Sequence, residues 1–289
     1  MDRPDLFEGA WLKWGWAVRH AEALERDIEA LTLHNRVQRL GLVTRTDYHA
    51  QRHCIVISVA SVNPVPARLG LGIGDVAHNY RSCLDYLAWA LVCNGKTPPD
   101  ALSKKRRNAV YFPLAGSRKE FNASLADRHS GEGRLIPAKL PGLRRVEIAK
   151  VRRHQPYQRG VTNLSRHPLT LLGSLANRDK HRTIQPVWSI PMSGVCEVSN
   201  FRDCTETRFP KRTRRYPLEV GAEIGQVYIR RTGPHPDCDV HCELEAEPAL
   251  NERILVGDWM TETSASIAAL LREFTEPPQT LWARLDSMV

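Results

Sequence analysis

An α+β fold is what this sequence predicts: a mainly helical region with an early β-hairpin, then a small antiparallel β region, then a C-terminal helix that returns to pack. Three observations carry it. Before about residue 185, apolar residues recur every three or four positions, the period of a helix with one buried face. Inside that stretch, Val37 to Arg45 and His53 to Val62 are instead rich in β-branched residues. Polar Thr46 to Gln51 separates them, so they read as a hairpin at about 37–62. After Gln185 the runs become short and alternating, with Pro and Gly turns between them. The chain therefore divides into 1–185 and 186–289, regions that can also close into one compact domain.

The elements follow in order. Phe7, Trp11, Trp14, Val18, Ala21, Leu24, Ile28 and Leu31 fall on one stripe of a first helix. Such a stripe suits the protein's own core or a homodimer seam. A membrane-lying helix is disfavoured by Glu22, Glu25 and Glu29 on the polar side. After the hairpin, Gly70, Gly72 and Gly74 read as turn residues before Asp75, an N-cap for a helix that ends at Asn94-Gly95. These glycines match no phosphate loop: a dinucleotide fingerprint needs two residues between its second and third glycines, and a Walker loop needs a closing Gly-Lys-Ser/Thr. Thr97 to Pro113 is a basic loop, with helices expected near Ser117 to Ala126 and Leu143 to Arg153. Pro168 opens another, running into Asn177 to His181. Val195 to Asn200, Gln226 to Arg230 and Val240 to Ala246 read as antiparallel strands, and Asp258 caps the last helix.

Composition narrows the partners. With 289 residues and 42% hydrophobic content the chain can fill a core. Lys and Arg exceed Asp and Glu by 41 to 32, a net charge of +9. That favours RNA or another phosphate-bearing ligand, although clusters such as Lys104 to Arg107 and Lys211 to Arg215 also suit a solvated surface. The first ten residues lack a secretory signal, and no charge-free run is long enough to span a membrane, so a soluble cytoplasmic protein is expected. Seven cysteines, several among apolar neighbours, fit reduced thiols. His235, Cys238, His241 and Cys242 resemble a metal cluster, but strand alternation puts Cys242 on a core face and His241 opposite, so no metal or other cofactor is assigned.

Two polar-marked helices remain as the place where chemistry could sit. His78, Arg81, Ser82 and Asp85 form a polar stripe on an otherwise apolar helix, where burial requires partners from elsewhere. Asn177-Arg178-Asp179-Lys180-His181-Arg182 ends a second apolar helix. If the two pack side by side, the candidate catalytic residues are His78, Arg81, Asp85, Asp179, His181 and Arg182: His181 or His78 as acid/base, Arg81 and Arg182 holding phosphate charge. The alternative is a non-catalytic binding or interaction protein in which the same residues form a structural network. A metal hydrolase using His78, Asp85, Asp179 and His181 is a third reading.

Gly74-Asp75 with His78-Asn79, Arg81-Ser82 and Leu84-Asp85, then Phe112-Pro113-Leu114, Gln155-Pro156-Tyr157 and Asp179-Lys180-His181-Arg182, resemble the pattern of a bacterial protein family without an assigned activity. The likeness runs from about Pro66 to Arg182. A weaker one is to HEPN domains, helical bundles that are often metal-independent ribonucleases marked by Arg, four to six residues, then His. It implies phosphodiester cleavage, but Arg178 stands only two intervening residues before His181, and the correctly spaced Arg230 and His235 fall in a Gly-Pro loop.

Overall fold

The computed structural model describes residues 6–34, 40–47, 52–95, 99–130, 135–180, 182–190, 195–208, 216–217, 219–243, 247–251 and 254–288. The helices are α1 (Glu8–His34), α2 (Ala67–Cys93), α3 (Lys104–Arg107), α4 (Arg118–Ser124), α5 (Arg145–Arg153), α6 (Pro168–Asp179), α7 (Val256–Arg272) and α8 (Leu281–Asp286). The strands of the first two-thirds are β1 (Leu40–Asp47), β2 (Arg52–Val59), β3 (Arg128–His129), β4 (Leu135–Ile136) and β5 (Val187–Ile190). They are followed by β6 (Val195–Arg202), β7 (Cys204–Arg208), β8 (Tyr216–Pro217), β9 (Glu223–Arg231), β10 (Asp237–Glu243), β11 (Glu247–Asn251) and β12 (Ile254–Leu255). This is the expected α+β class, with an N-terminal helical region, small antiparallel sheets and a helical C-terminus.

Two compact units form, and both are discontinuous in sequence. Unit 1 takes 1–24, 71–184 and 257–289; unit 2 takes 25–70 and 185–256. One division between the units falls at Ile184 and Gln185, and the hairpin groups with the later strands and α7 with the earlier helices. The reason lies in the sheet: β2 carries β1 on one side and β9 on the other, with Ile55 opposite Val227 and Cys54 opposite Tyr228. A two-stranded hairpin is marginal alone and gains stability from a third strand over a shared core. β7 then pairs with β9, giving the order β1-β2-β9-β7.

The core of unit 2 gathers Ile55, Ile57, Val59, Val227 and Ile229 with Trp188, Cys204 and Cys238. The Trp188 indole N–H donates to the Asn63 carbonyl at 2.8 Å, which satisfies the one polar atom of a buried ring. β6 and β10 pair with Cys196 opposite Cys242, in keeping with the strand reading of that segment; the side chains of His241 and Cys242 lie outside the described residues.

Unit 1 is helical. Within it α1 buries Trp11, Ala21 and Leu24 from the stripe that the sequence marks, and the Trp14 indole donates to the Ser264 carbonyl of α7 at 3.2 Å. Trp11, Ala21 and Leu24 pack into the protein's own core, while Phe7, Trp14 and Val18 of the same stripe are half-buried. Helix α2 corrects one expectation: it starts at Ala67, about two turns before Asp75, so Gly70, Gly72 and Gly74 are helical and not a turn. Close packing explains Gly72 and Gly74, because a Cβ at Gly72 would lie 2.9 Å from a Leu24 methyl and one at Gly74 would overlap the Asp179 carboxyl. The segment expected as a basic loop holds the short helix α3, capped by Ser103. Among the described residues no helix is long and apolar enough to cross a membrane.

Candidate functional site

Both polar-marked helices belong to unit 1, and they meet at Gly74 and Asp179. The contact is a missing side chain on α2 receiving the carboxyl that ends α6. Around Arg81 and Asp85 the sequence expectation changes more. Arg81 is 5% exposed, and buried charge needs partners. They come from its own helix and from segment 111–112, not from the end of α6. One Arg81 terminal N–H group donates to Asp85 Oδ1 at 2.8 Å and to the Phe112 carbonyl at 2.7 Å. The Phe112 amide donates back to Asp85 Oδ1 at 3.0 Å. A guanidinium and a carboxylate thereby clamp one backbone position from both sides.

Tyr111 completes this cluster. Its ring lies 3.6 Å from the Arg81 guanidinium carbon and 5.1 Å from Lys139 Nζ, so one aromatic ring faces two cations. Burial pushes the Asp85 carboxyl above its ordinary range, against the opposing pull of Arg81, the Phe112 amide and Lys180. Burial also lowers the Lys139 ammonium, and the Arg81 and Arg128 charges lower it further. Arg81 Nε is buried with no hydrogen-bond partner. The cluster is rich in cations and short of acids.

Beside it opens a cavity of about 490 Å³ lined by Lys119, Arg128, Lys139, Glu120 and the apolar walls of Pro113, Leu114, Ile136 and Pro137. Glu120 is already engaged, accepting from the Gly116 amide at 2.9 Å.

No family model, curated protein or solved structure matches the chain.

The remaining predicted residues are placed less compactly. His78 is exposed, and among the described residues no bond joins it to Arg81 or Asp85. Asn177, Arg178, Asp179 and Lys180 are exposed, and so is Arg182, whose amide donates to the Arg178 carbonyl at 2.8 Å. His181 lies outside the described residues. Among those residues no group of three His, Cys, Asp or Glu side chains could hold a metal ion.

Motif residues that no spacing argument singled out turn out to act together. Gln155 is 1% exposed; its Oε1 accepts from the Ala115 amide at 3.0 Å and its amide group donates to the Val151 carbonyl at 3.3 Å. Phe112 and Gln155 thus hold the two ends of segment 112–115, which forms a wall of the cationic cavity. Tyr111 and Lys139 carried no signal of their own. The nearest one was the Phe112-Pro113-Leu114 run.

Proposed function

We propose that the protein binds a phosphate-bearing ligand, RNA, without cutting it, at the cationic cavity of unit 1. The charge balance there carries the reading. Three cations, Lys119, Arg128 and Lys139, line a cavity whose one acid is turned to a backbone amide, and Arg81 stands behind Tyr111 with its carboxylate partner already engaged. A half-buried ammonium short of counter-charge is stabilised when an anion arrives. The volume suits about one nucleotide, and the apolar walls offer a surface on which a base or ribose can lie. In this reading Arg81 and Asp85 are the frame that fixes the wall, and Lys180 and Arg182 are outlying phosphate contacts. The setting is the cytoplasm, where the thiols of Cys83, Cys204 and Cys238 stay reduced.

The test is the fluorescence anisotropy of a labelled single-stranded RNA of about 12 nucleotides, titrated with protein at about 50 and 200 mM salt. The variant carrying Lys119→Ala, Arg128→Ala and Lys139→Ala together should bind tenfold or more weakly and show a shallower salt dependence. Equal affinity in the two proteins overturns the proposal. The same RNA incubated in EDTA should stay intact. Cleavage that disappears in His78→Ala or His181→Ala would replace binding by metal-independent phosphodiester cleavage.

A further inference from the structure

A second cavity of about 370 Å³ lies in unit 1 where the end of α5 and the start of α6 face α7. Its two walls carry opposite charge. On the first, Arg153 and His154 are both bound to Glu273, at 3.4 and 3.3 Å, so the Arg153 charge is answered locally and the His154 ring already has a partner. Arg159 is exposed and bonded to no other described side chain. His167 stands beside it, 7% exposed, with Nδ1 accepting from the Leu169 amide at 3.2 Å as the N-cap of α6. That bond leaves Nε2 as the nitrogen that carries the proton in the neutral ring, and His167 belongs to the cavity lining. Burial, helped by the Arg159 charge, holds the ring neutral, its pKa lowered to about 4. The positive end of the α6 dipole adds to the same wall.

Helix α7 forms the opposite wall with Glu262, Ser266 and the small residues Ala265 and Ala269. The Glu262 carboxylate is likewise bonded to no described side chain. An exposed guanidinium and a buried imidazole thus line one side of a small cavity and an exposed carboxylate the other, with neither charge ion-paired among the described side chains. A simple anion would meet Glu262 and a simple cation would meet Arg159. A ligand bearing both charges satisfies both walls.

We propose that this cavity binds a free α-amino acid, its carboxylate on Arg159 and the His167 Nε2–H, its ammonium on Glu262, and its side chain over Leu169, Ala265 and Ala269. Guanidinium and carboxylate match in fork geometry, and the volume falls at the small end of ligand cavities, where a single amino acid fits. The site is separate from the RNA cavity and stands or falls without it.

The experiment is calorimetric titration of the full chain with the twenty standard L-amino acids, with acetate and ethylammonium as single-charge probes. At least one amino acid should bind saturably, at least tenfold more tightly than either single-charge probe. Arg159→Ala and Glu262→Gln should each weaken it tenfold or more while the melting temperature stays within a few degrees of wild type. Three results would overturn the proposal: no saturable binding by any amino acid, acetate binding as tightly as the amino acid, or Glu262→Gln binding as wild type does. Ser266→Ala should retain binding within about threefold, and a loss as large as that of Glu262→Gln would also count against the assignment.

Discussion

The polar stripe of α2 and the polar end of α6 look alike in sequence, each a run of His, Arg and Asp beside apolar helix, yet the fold treats them oppositely. Arg81 is sealed against Asp85, Phe112 and Tyr111, whereas Asn177 to Lys180 are exposed and reach α2 through the close approach of Asp179 to Gly74. Position decides. A charge in the middle of a buried helix must find partners, because desolvation costs several kcal/mol, while a charge in the last turn keeps its water. The first region is therefore expected to govern stability and the second to govern what the surface attracts.

Breaking the α2 pair should have the largest effect. Arg81→Met leaves the Phe112 carbonyl without its donor and the Asp85 carboxylate with only the Phe112 amide, and is expected to cost about 3 kcal/mol in a denaturant melt. Arg81→Met with Asp85→Leu removes both charges and should recover most of that loss, since apolar replacements of a buried pair are often near neutral. A loss under about 1 kcal/mol for Arg81→Met would show that the clamp is no frame.

The opposite end of α6 sharpens the contrast, for its cap, His167, is buried like Arg81. Its folded pKa, about 4, lies below the ordinary 6.5, so the unfolded chain takes up the proton first. Stability from this group is present above pH 6.5 and lost as pH falls toward 4, by up to about 3 kcal/mol. His167→Asn keeps a capping side chain and should flatten that slope. An unchanged slope in the variant would place the pH dependence elsewhere.

Gly72 and Gly74 give a paired test of moderate size. A Cβ at Gly72 presses on Leu24, which is 3% exposed, whereas a Cβ at Gly74 presses on Asp179, which can swing into water. Alanine gains about 1 kcal/mol of helix preference over glycine, and overpacking a core costs about 1–3 kcal/mol. Gly72→Ala should be destabilising by about 1 kcal/mol net, and Gly74→Ala neutral to slightly stabilising. If Gly74→Ala is the costlier of the two by thermal melt, the end of α6 is held in place and behaves as a site.

The same contrast accounts for what could be read in the sequence. Helices α1, α4, α5 and α6 show their period or their caps, and Arg81 and Asp85 stand out as polar residues on an apolar helix. The start of α2 does not, because Gly70, Gly72 and Gly74 signal a turn locally, and Gly72 and Gly74 serve close packing only once Leu24 and Asp179 arrive. Strands β8 and β11 are hidden for a similar reason: both are short, and Pro217 and Pro248 read as breakers. Tyr111, Lys139 and Gln155 join the cluster across the chain, through contacts that no spacing rule reports. Local periodicity marks a buried stripe; it does not name the loop that will cover it.

Lys180 tests how far the two regions speak to each other, with the smallest effect. It is exposed, yet its charge helps hold down the Asp85 carboxyl, whose folded pKa burial raises above the ordinary 3.8. A carboxyl raised in this way binds its proton more tightly when folded, so its contribution to stability is complete below pH 3.8 and falls away as pH rises through the folded value. Lys180→Ala should raise that folded value further. The variant should therefore melt like wild type near pH 3 and lose at most about 0.5 kcal/mol near pH 7, where Asp85 is ionised without that neighbour. The difference between urea melts at the two pH values measures it. An equal loss at both would mean that Lys180 acts on α2 through packing, and the charge link between the helices would be gone.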